Sequence, residues 1–210
     1  MWCTPEDVRK ELGLSVEDVS DADLDYYINK AQSDLLNDIA IYRHDEIMKG
    51  TIDGYNATFQ TWFYPIIDSN FDKKVDPSDI TVYKWKDAYN KETVAVSSIN
   101  PEYGIIIVST PPSTEYIFLT CSYYYVPTYG INYERLSRVT ALLAAYYYIR
   151  SEMLLIPETW AHGAYRFTKG TPAEELLNEY YREKDLLLKK DYVKKKHGEV
   201  EFLRDTYGSA

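Results

Sequence analysis

Leu24, Ile28, Ala31, Leu35 and Ile39 recur at spacings of four, three, four and four residues, which places them on one stripe of an α-helix. Asp25, Asn29, Lys30, Gln32 and Asp34 fall largely off that stripe. Ser20-Asp21-Ala22-Asp23 offers an N-cap followed by acids in the first turn, and the helix is predicted to end before Gly50. Upstream, Thr4 as N-cap, Pro5 at the first helical position, and Glu6 and Asp7 against the helix dipole predict a short helix. It runs to Leu12 and stops at Gly13.

After a break at Gly50–Asn56 the periodicity changes from helical to strand-like. Thr58–Ile67, Ile80–Trp85, Thr93–Ile99, Gly104–Ser109 and Tyr116–Val126 are aromatic and β-branched, separated by polar or Pro- and Gly-bearing turns. Five short strands at this spacing predict an antiparallel sheet or small barrel. Pro65, Pro111 and Pro112 belong at strand ends or edges, since proline cannot donate to the ladder. Helical periodicity returns from Asn132, a cap residue, over Leu136, Val139, Leu142, Leu143, Tyr146 and Tyr147. Between Ala141 and Ile149 it is apolar on every side, so the helix over 133–153 must be surrounded, by its own fold or by neighbouring copies. Residues 157–170 read as a loop. Thr171-Pro172-Ala173-Glu174-Glu175 opens a last helix with Leu176, Leu177, Tyr180, Leu187, Leu188 and Tyr192 on its apolar face, running to about Lys196.

The fold class that follows is α+β, a helical core of about four helices with an inserted antiparallel β-sheet or small barrel. The chain divides into N-terminal helices of the core (1–50), the β-rich insert (57–127), C-terminal helices of the core (132–197) and an extended C-terminal tail (198–210).

Composition bounds the function. Lys and Arg number 23 against 33 Asp and Glu, a formal net charge of −10. That argues against sequence-reading DNA binding, which needs a clustered basic face, but suits DNA passing without sticking. Cys3 and Cys121 lack metal-ligand spacing, and reduced thiols are the simpler reading over a single bridge. The N-terminus has no basic region or apolar run of a secretory signal. The longest uncharged apolar stretch, between Arg138 and Arg150, is eleven residues. A membrane span needs roughly 18. A soluble protein is expected. Twenty-two tyrosines against six phenylalanines fit either surfaces buried on assembly or ordinary sheet composition.

No pattern predicts catalysis. His44, His162 and His197 are scattered, and no His-Glu-x-x-His, Gly-x-Ser-x-Gly or glycine-rich phosphate cradle occurs. No cofactor is expected. One segment has the spacing of a calcium loop, with Asp68, Asn70, Asp72, Asp76 and Asp79 at its first, third, fifth, ninth and twelfth positions. Lys73 stands where such a loop has glycine and Asp79 where it has a bidentate Glu, so a turn of Asx caps is the competing reading. Lys189-Lys190 and Lys194-Lys195-Lys196 form a basic cluster explained by a helix dipole, or by docking of an acidic partner or a nucleic-acid backbone.

The order of elements carries a resemblance. Thr4-Pro-Glu-Asp-Val-Arg9 with Leu12-Gly13, then Ser20-Asp-x-Asp-Leu24, Ile28-x-x-Ala31 and, later, Arg138-Val-Thr-Ala-Leu-Leu-Ala-Ala-Tyr146 resemble the head–tail connector (adaptor, neck) proteins of tailed bacteriophages and related viruses. Tyr64-Pro-Ile-Ile-Asp68, Ile80-Thr-Val-Tyr83 and Tyr103-Gly-Ile-Ile-Ile107 are similar to strands of viral neck proteins. The resemblance covers about 4–40 and 132–155. It implies a structural virion protein at the head–tail junction, assembled in the host cytoplasm and forming a homo-oligomeric ring of about twelve copies. Portal and downstream neck or tail proteins would be its partners, DNA would only pass through, and no membrane would be involved. On that reading Leu136, Val139, Leu142, Leu143, Tyr146 and Tyr147 supply the oligomer interface, and Phe202, Leu203 and Tyr207 dock on the portal. The alternative is a binding module for carbohydrate or protein, with Trp62, Tyr83 and Trp85 of the insert as a stacking platform. Removing residues 199–210 is expected to leave a folded protein that attaches poorly to portal. Circular dichroism and co-sedimentation check this, and unchanged attachment refutes the docking role.

Overall fold

The local signals at the N-terminus act as they read. Thr4 Oγ1 accepts from the Asp7 amide while the Asp7 carboxylate accepts from the Thr4 amide, so the cap is reciprocal, and Gly13 closes the helix in the left-handed region at φ 66°. Ser20 caps the second helix through the Asp23 amide. Asn132 Oδ1 caps the third by accepting from Arg135 N at 3.0 Å. The computed structural model describes residues 1–128, 130–153, 159–162, 165–168 and 171–188. Among the described residues the helices are α1 (Pro5–Leu12), α2 (Asp21–Ile39), α3 (Tyr133–Met153) and α4 (Thr171–Leu188).

All five stripe residues of α2 are buried, and they join Val8 of α1, Leu136, Val139 and Leu142 of α3, and Tyr180 and Leu187 of α4 in one apolar cluster. The buried Arg9 guanidinium ties the α1–α2 connection together, donating to the Val19 carbonyl at 3.0 Å and pairing with Glu6 and Asp21. Helix α3 packs against α1, α2 and α4. None of the described helices is long and apolar enough to cross a membrane.

The strands are β1 (Ile41–Ile47), β2 (Thr58–Gln60), β3 (Thr81–Trp85), β4 (Lys91–Val94), β5 (Val96–Asn100), β6 (Ile105–Val108), β7 (Phe118–Tyr125), β8 (Thr159–His162) and β9 (Tyr165–Thr168). They form an antiparallel sheet ordered β1-β7-β3-β4, a second ordered β2-β6-β5, and the hairpin β8-β9 within the stretch expected to be a loop. Two seams join the first two sheets. Ala95 alone separates β4 from β5, and its carbonyl accepts from Ser109 N at 2.8 Å. On the other side Lys49 and Gln60 exchange backbone bonds of 2.8 and 2.9 Å. The sheets thus roll toward a small barrel around Phe59, Ile66, Val82, Ile106, Leu119, Cys121 and Tyr123.

The fold is α+β, with a helical core and antiparallel sheets between α2 and α3. Two local expectations are corrected. The stretch 1–50, expected to be helical, ends in β1, because the chain turns at Ala40 straight from α2 into a strand that pairs with β7. Of Thr58–Ile67, only Thr58–Gln60 and an isolated bridge from Ile66 to Tyr125 are strand-paired.

Four of the six α3 residues expected at the oligomer interface lie in the core of the single chain. Leu136, Val139 and Leu142 are 0 % exposed and Leu143 is 5 % exposed within one chain. They are core residues, covered by α1, α2 and α4. Leu142→Ala is therefore expected to cost about 2–5 kcal/mol of folding stability in the isolated chain. Denaturant unfolding at two protein concentrations checks this. A loss that appears only at concentrations where the protein associates would restore the interface role.

Candidate interaction surface

Tyr146 and Tyr147, the remaining residues expected at the interface, are half-buried at the margin of the helical core. The Tyr147 hydroxyl donates to Asp34 at 2.7 Å and Lys30 lies 4.5 Å above its ring, so α2 already holds this side chain. Burial, then the Asp34 bond, pushes the Tyr147 pKa up. Phe202, Leu203 and Tyr207, like the two lysine clusters, lie outside the described residues.

The Asp68–Asp79 turn uses its carboxylates on its own backbone. Asp68 is fully buried and accepts from the amides of Phe71 (2.7 Å), Asp72 (3.3 Å) and Lys73 (2.7 Å) and from the Trp2 indole (3.1 Å). Asp79 accepts from the amides of Ser69, Asn70 and Asp76 at 2.7, 3.2 and 3.0 Å. Lys73 takes the left-handed conformation that a calcium loop gives to glycine (φ 76°), and Phe71 does the same at 67°. Two carboxylates filled by N–H donors, with both turn residues strained to present those donors, make an Asx-type clasp. Burial raises the Asp68 pKa, opposed by the N–H donors and reinforced by the facing Asp79 carboxylate. Among the described residues no group of three or more His, Cys, Asp or Glu side chains is placed to hold a metal.

The three aromatic residues of the expected stacking platform do not share one. Tyr83 and Trp85, two apart on β3, point outward from the four-stranded sheet, with Lys91 Nζ 4.1 Å from the Tyr83 ring and 5.1 Å from that of Trp85. The Trp85 indole donates to Thr120 Oγ1 at 2.9 Å. Asp45, in the left-handed conformation at a bulge of β1, folds over this face to pair with Lys91 at 2.9 Å. Burial works against the Asp45 charge, but the Lys91 bond and charge hold its carboxyl below the usual range. Ser122 Oγ lies 3.4 Å from Asp45 Oδ1 and 3.5 Å from His44 Nδ1, near the limit of a hydrogen bond. The rings are therefore covered by an ion pair. Trp62 stands elsewhere, its indole donating to the Ile47 carbonyl at 2.9 Å and its ring 4.1 Å from Lys49 Nζ.

A cleft of about 1010 Å³ opens between α1 and the start of α3. Its charges are largely satisfied across the helices: Arg138 reaches Glu179 at 2.7 Å and both Glu11 and Glu183 at 3.7 Å. Burial raises the Glu11 pKa and Arg138 counters it. This network seals helix against helix.

The outer face of the three-stranded sheet differs from both. Its strands read Thr-Phe-Gln, Val-Ser-Ser-Ile-Asn and Ile-Ile-Ile-Val, without a charged residue. Phe59, Ile106 and Val108 turn into the barrel core, so Thr58, Gln60, Ser98, Asn100, Ile105 and Ile107 face out. Lys49 extends the Gln60 row, with Trp62 and Ile47 at that margin. Tyr103, two residues before Ile105, stands at the same end of the face as Trp62, its carbonyl bound by the Gln60 side-chain amide at 2.9 Å. Trp62, Ile47 and Tyr103 are each more than half exposed. Gly104 holds the adjoining turn at φ 62°, where an added Cβ would strike the Thr61 hydroxyl. Strand patterns predict this sheet, but only register reveals that its outward positions are uncharged, with Trp62 and Tyr103 at one end.

No protein-family model matches this chain, and no curated protein matches its sequence.

Asp68→Asn presents an amide to two N–H donors. It is expected to lower stability by about 2 kcal/mol, the cost of leaving buried donors unpaired. Chemical denaturation measures the loss. Millimolar calcium is expected to leave the wild-type midpoint unchanged, and a calcium-dependent rise would return the turn to the ion-binding reading.

Proposed function

We propose that this chain is a structural virion protein, a head–tail connector that forms a ring beneath the portal and passes DNA from capsid to tail. One observation carries the reading. The helical core is built within a single chain, while most of the large apolar side chains left exposed among the described residues lie in the β region between α2 and α3. A monomer gains nothing from displaying Trp62, Tyr103, Ile47 and Ile107 together, whereas an assembly component needs such a face. The net charge of −10 supports the same reading, because a negative wall lets DNA slide past without capture. The order of the helices follows the pattern on which the family resemblance rests, while the β insert departs from that family's smallest, helical members.

The binding-module alternative retains some support in its protein-ligand form, from the same exposed face. Its carbohydrate form loses the shared platform, since Lys91 and Asp45 cover Tyr83 and Trp85 and Trp62 lies apart.

Mass photometry and negative-stain imaging of the full chain test the connector reading. Rings of about twelve copies are expected, alone or on portal. A protein that stays monomeric at all concentrations and does not co-sediment with portal overturns it.

A further inference from the structure

We propose that the cleft between α1 and the start of α3 is a binding site for a phosphate group. Two lysines carry the assignment, and it is independent of any assembly of copies. Among the described residues, every other lysine is ion-paired, as Lys74 with Asp76 and Lys91 with Asp45, or lies over an aromatic ring, as Lys49 over Trp62. The two exceptions are Lys10 of α1 and Lys73 of the Asp68–Asp79 turn. They are far apart in sequence, and both line this one cleft. A chain with 33 acidic against 23 basic residues has carboxylates to spare for every lysine. Two cations left unpaired in the same cavity therefore point to an anion from outside the chain.

Lys73 is present against the preference of its backbone. Its amide helps close the clasp on Asp68 at 2.7 Å, and its φ of 76° lies where glycine costs least. The clasp uses only that amide, which glycine also has. The lysine side chain is thus unexplained by the clasp, and it reaches the cleft instead. Arg135 adds a third cation, held only loosely, with Glu183 3.9 Å away. Arg138, by contrast, is committed to Glu11, Glu179 and Glu183. Of the acids on the lining, Asp7 is spent on the Thr4 cap, accepting from its amide at 2.8 Å and its hydroxyl at 2.7 Å. Glu11 and Glu183 face arginines, which leaves Glu134. Lys10, Lys73 and Arg135 against Glu134 make the available charge of the cleft positive. The first turns of α1 and α3 open on the same space and add a favourable field, but the cations make the site. A phosphate suits them better than a carboxylate, because it carries more charge and its oxygens radiate toward donors on separate elements. At about 1010 Å³ the cleft also holds whatever small group the phosphate is attached to.

Isothermal titration calorimetry of the full chain at low ionic strength tests this, with sodium pyrophosphate as the probe and sodium chloride at matched ionic strength as the blank. Saturable binding with a Kd of about 1 mM or tighter is expected. Lys73→Gly keeps the clasp amide and removes the charge. Relief of left-handed strain offsets the added chain entropy of glycine, so its unfolding midpoint is expected to stay near that of the wild type. Lys10→Gln removes the second cation from an exposed helical position. Each variant is expected to weaken binding by about tenfold. Lys49→Gln, on the barrel margin, is expected to leave the affinity unchanged. A short single-stranded oligonucleotide, titrated in parallel, distinguishes a free phosphate from one in a nucleic-acid backbone. If the oligonucleotide alone binds, and Lys73→Gly weakens it, the cleft is upheld and the backbone is the source. Binding of either probe that survives both Lys10→Gln and Lys73→Gly overturns the assignment, as does binding of neither.

Discussion

Two short segments, Ile66-Ile67 and Tyr125-Val126, lie side by side and serve two hydrophobic cores at once. Backbone bonds from Ile67 N to Tyr124 O and from Val126 N to Pro65 O, each 3.1 Å, lock them together. Adjacent side chains in extended backbone point to opposite faces. Ile66 and Tyr125 therefore enter the barrel core, while Ile67 and Val126 enter the helical core. A slip of one residue would exchange the four side chains between the cores. The relation of barrel to helices is thus set by the period of the strand itself.

The clasp at Asp68 follows directly from that junction. Asp68 is the next residue after Ile67, so its carboxylate enters the boundary between the cores, where an unpaired charge would be costly. The chain meets that cost by bending Phe71 and Lys73 into the left-handed region and aiming three amides and the Trp2 indole at the carboxylate. The Phe71 ring then packs edge-on to Trp2, with centroids 4.9 Å apart, which brings the N-terminal segment onto the same joint. A loop that resembles an ion site in spacing is, in physical terms, the fitting between two folded units.

Much of the architecture was legible because it depends on period and caps. The α2 stripe, the Thr4 and Ser20 caps and most of the barrel strands are local patterns that packing did not override. What failed was information held by partners. Ile41-Tyr-Arg-His-Asp-Glu-Ile47 shows no alternation because a bulge between Arg43 and Glu46 breaks it, so β1 exists by pairing with β7 and is invisible to pattern. The apolar girth of α3 predicts cover, but one helix's sequence does not say which elements provide it. Here α1, α2 and α4 pack against it, burying Ala141–Ala145 and leaving Tyr146–Ile149 half-buried. At Asp68–Asp79 the acid spacing was visible, whereas the choice of amide over cation depended on backbone angles at Phe71 and Lys73.

The exposed face of the barrel has a geometry that bears on how it can be used. A neutral sheet invites open-ended strand addition along its edges, and acidic net charge alone does not prevent that when the edge itself is uncharged. Both edges of this sheet are blunted. β2 is three residues long and its outer side is already paired to Lys49, while β5 carries an irregularity between Val96 and Ser98 that interrupts its ladder. What this face leaves exposed is therefore side chains such as Ile107, Trp62 and Tyr103 rather than unpaired backbone. Side-chain packing has a defined fit and, in a head-to-tail arrangement, a fixed rotation per subunit.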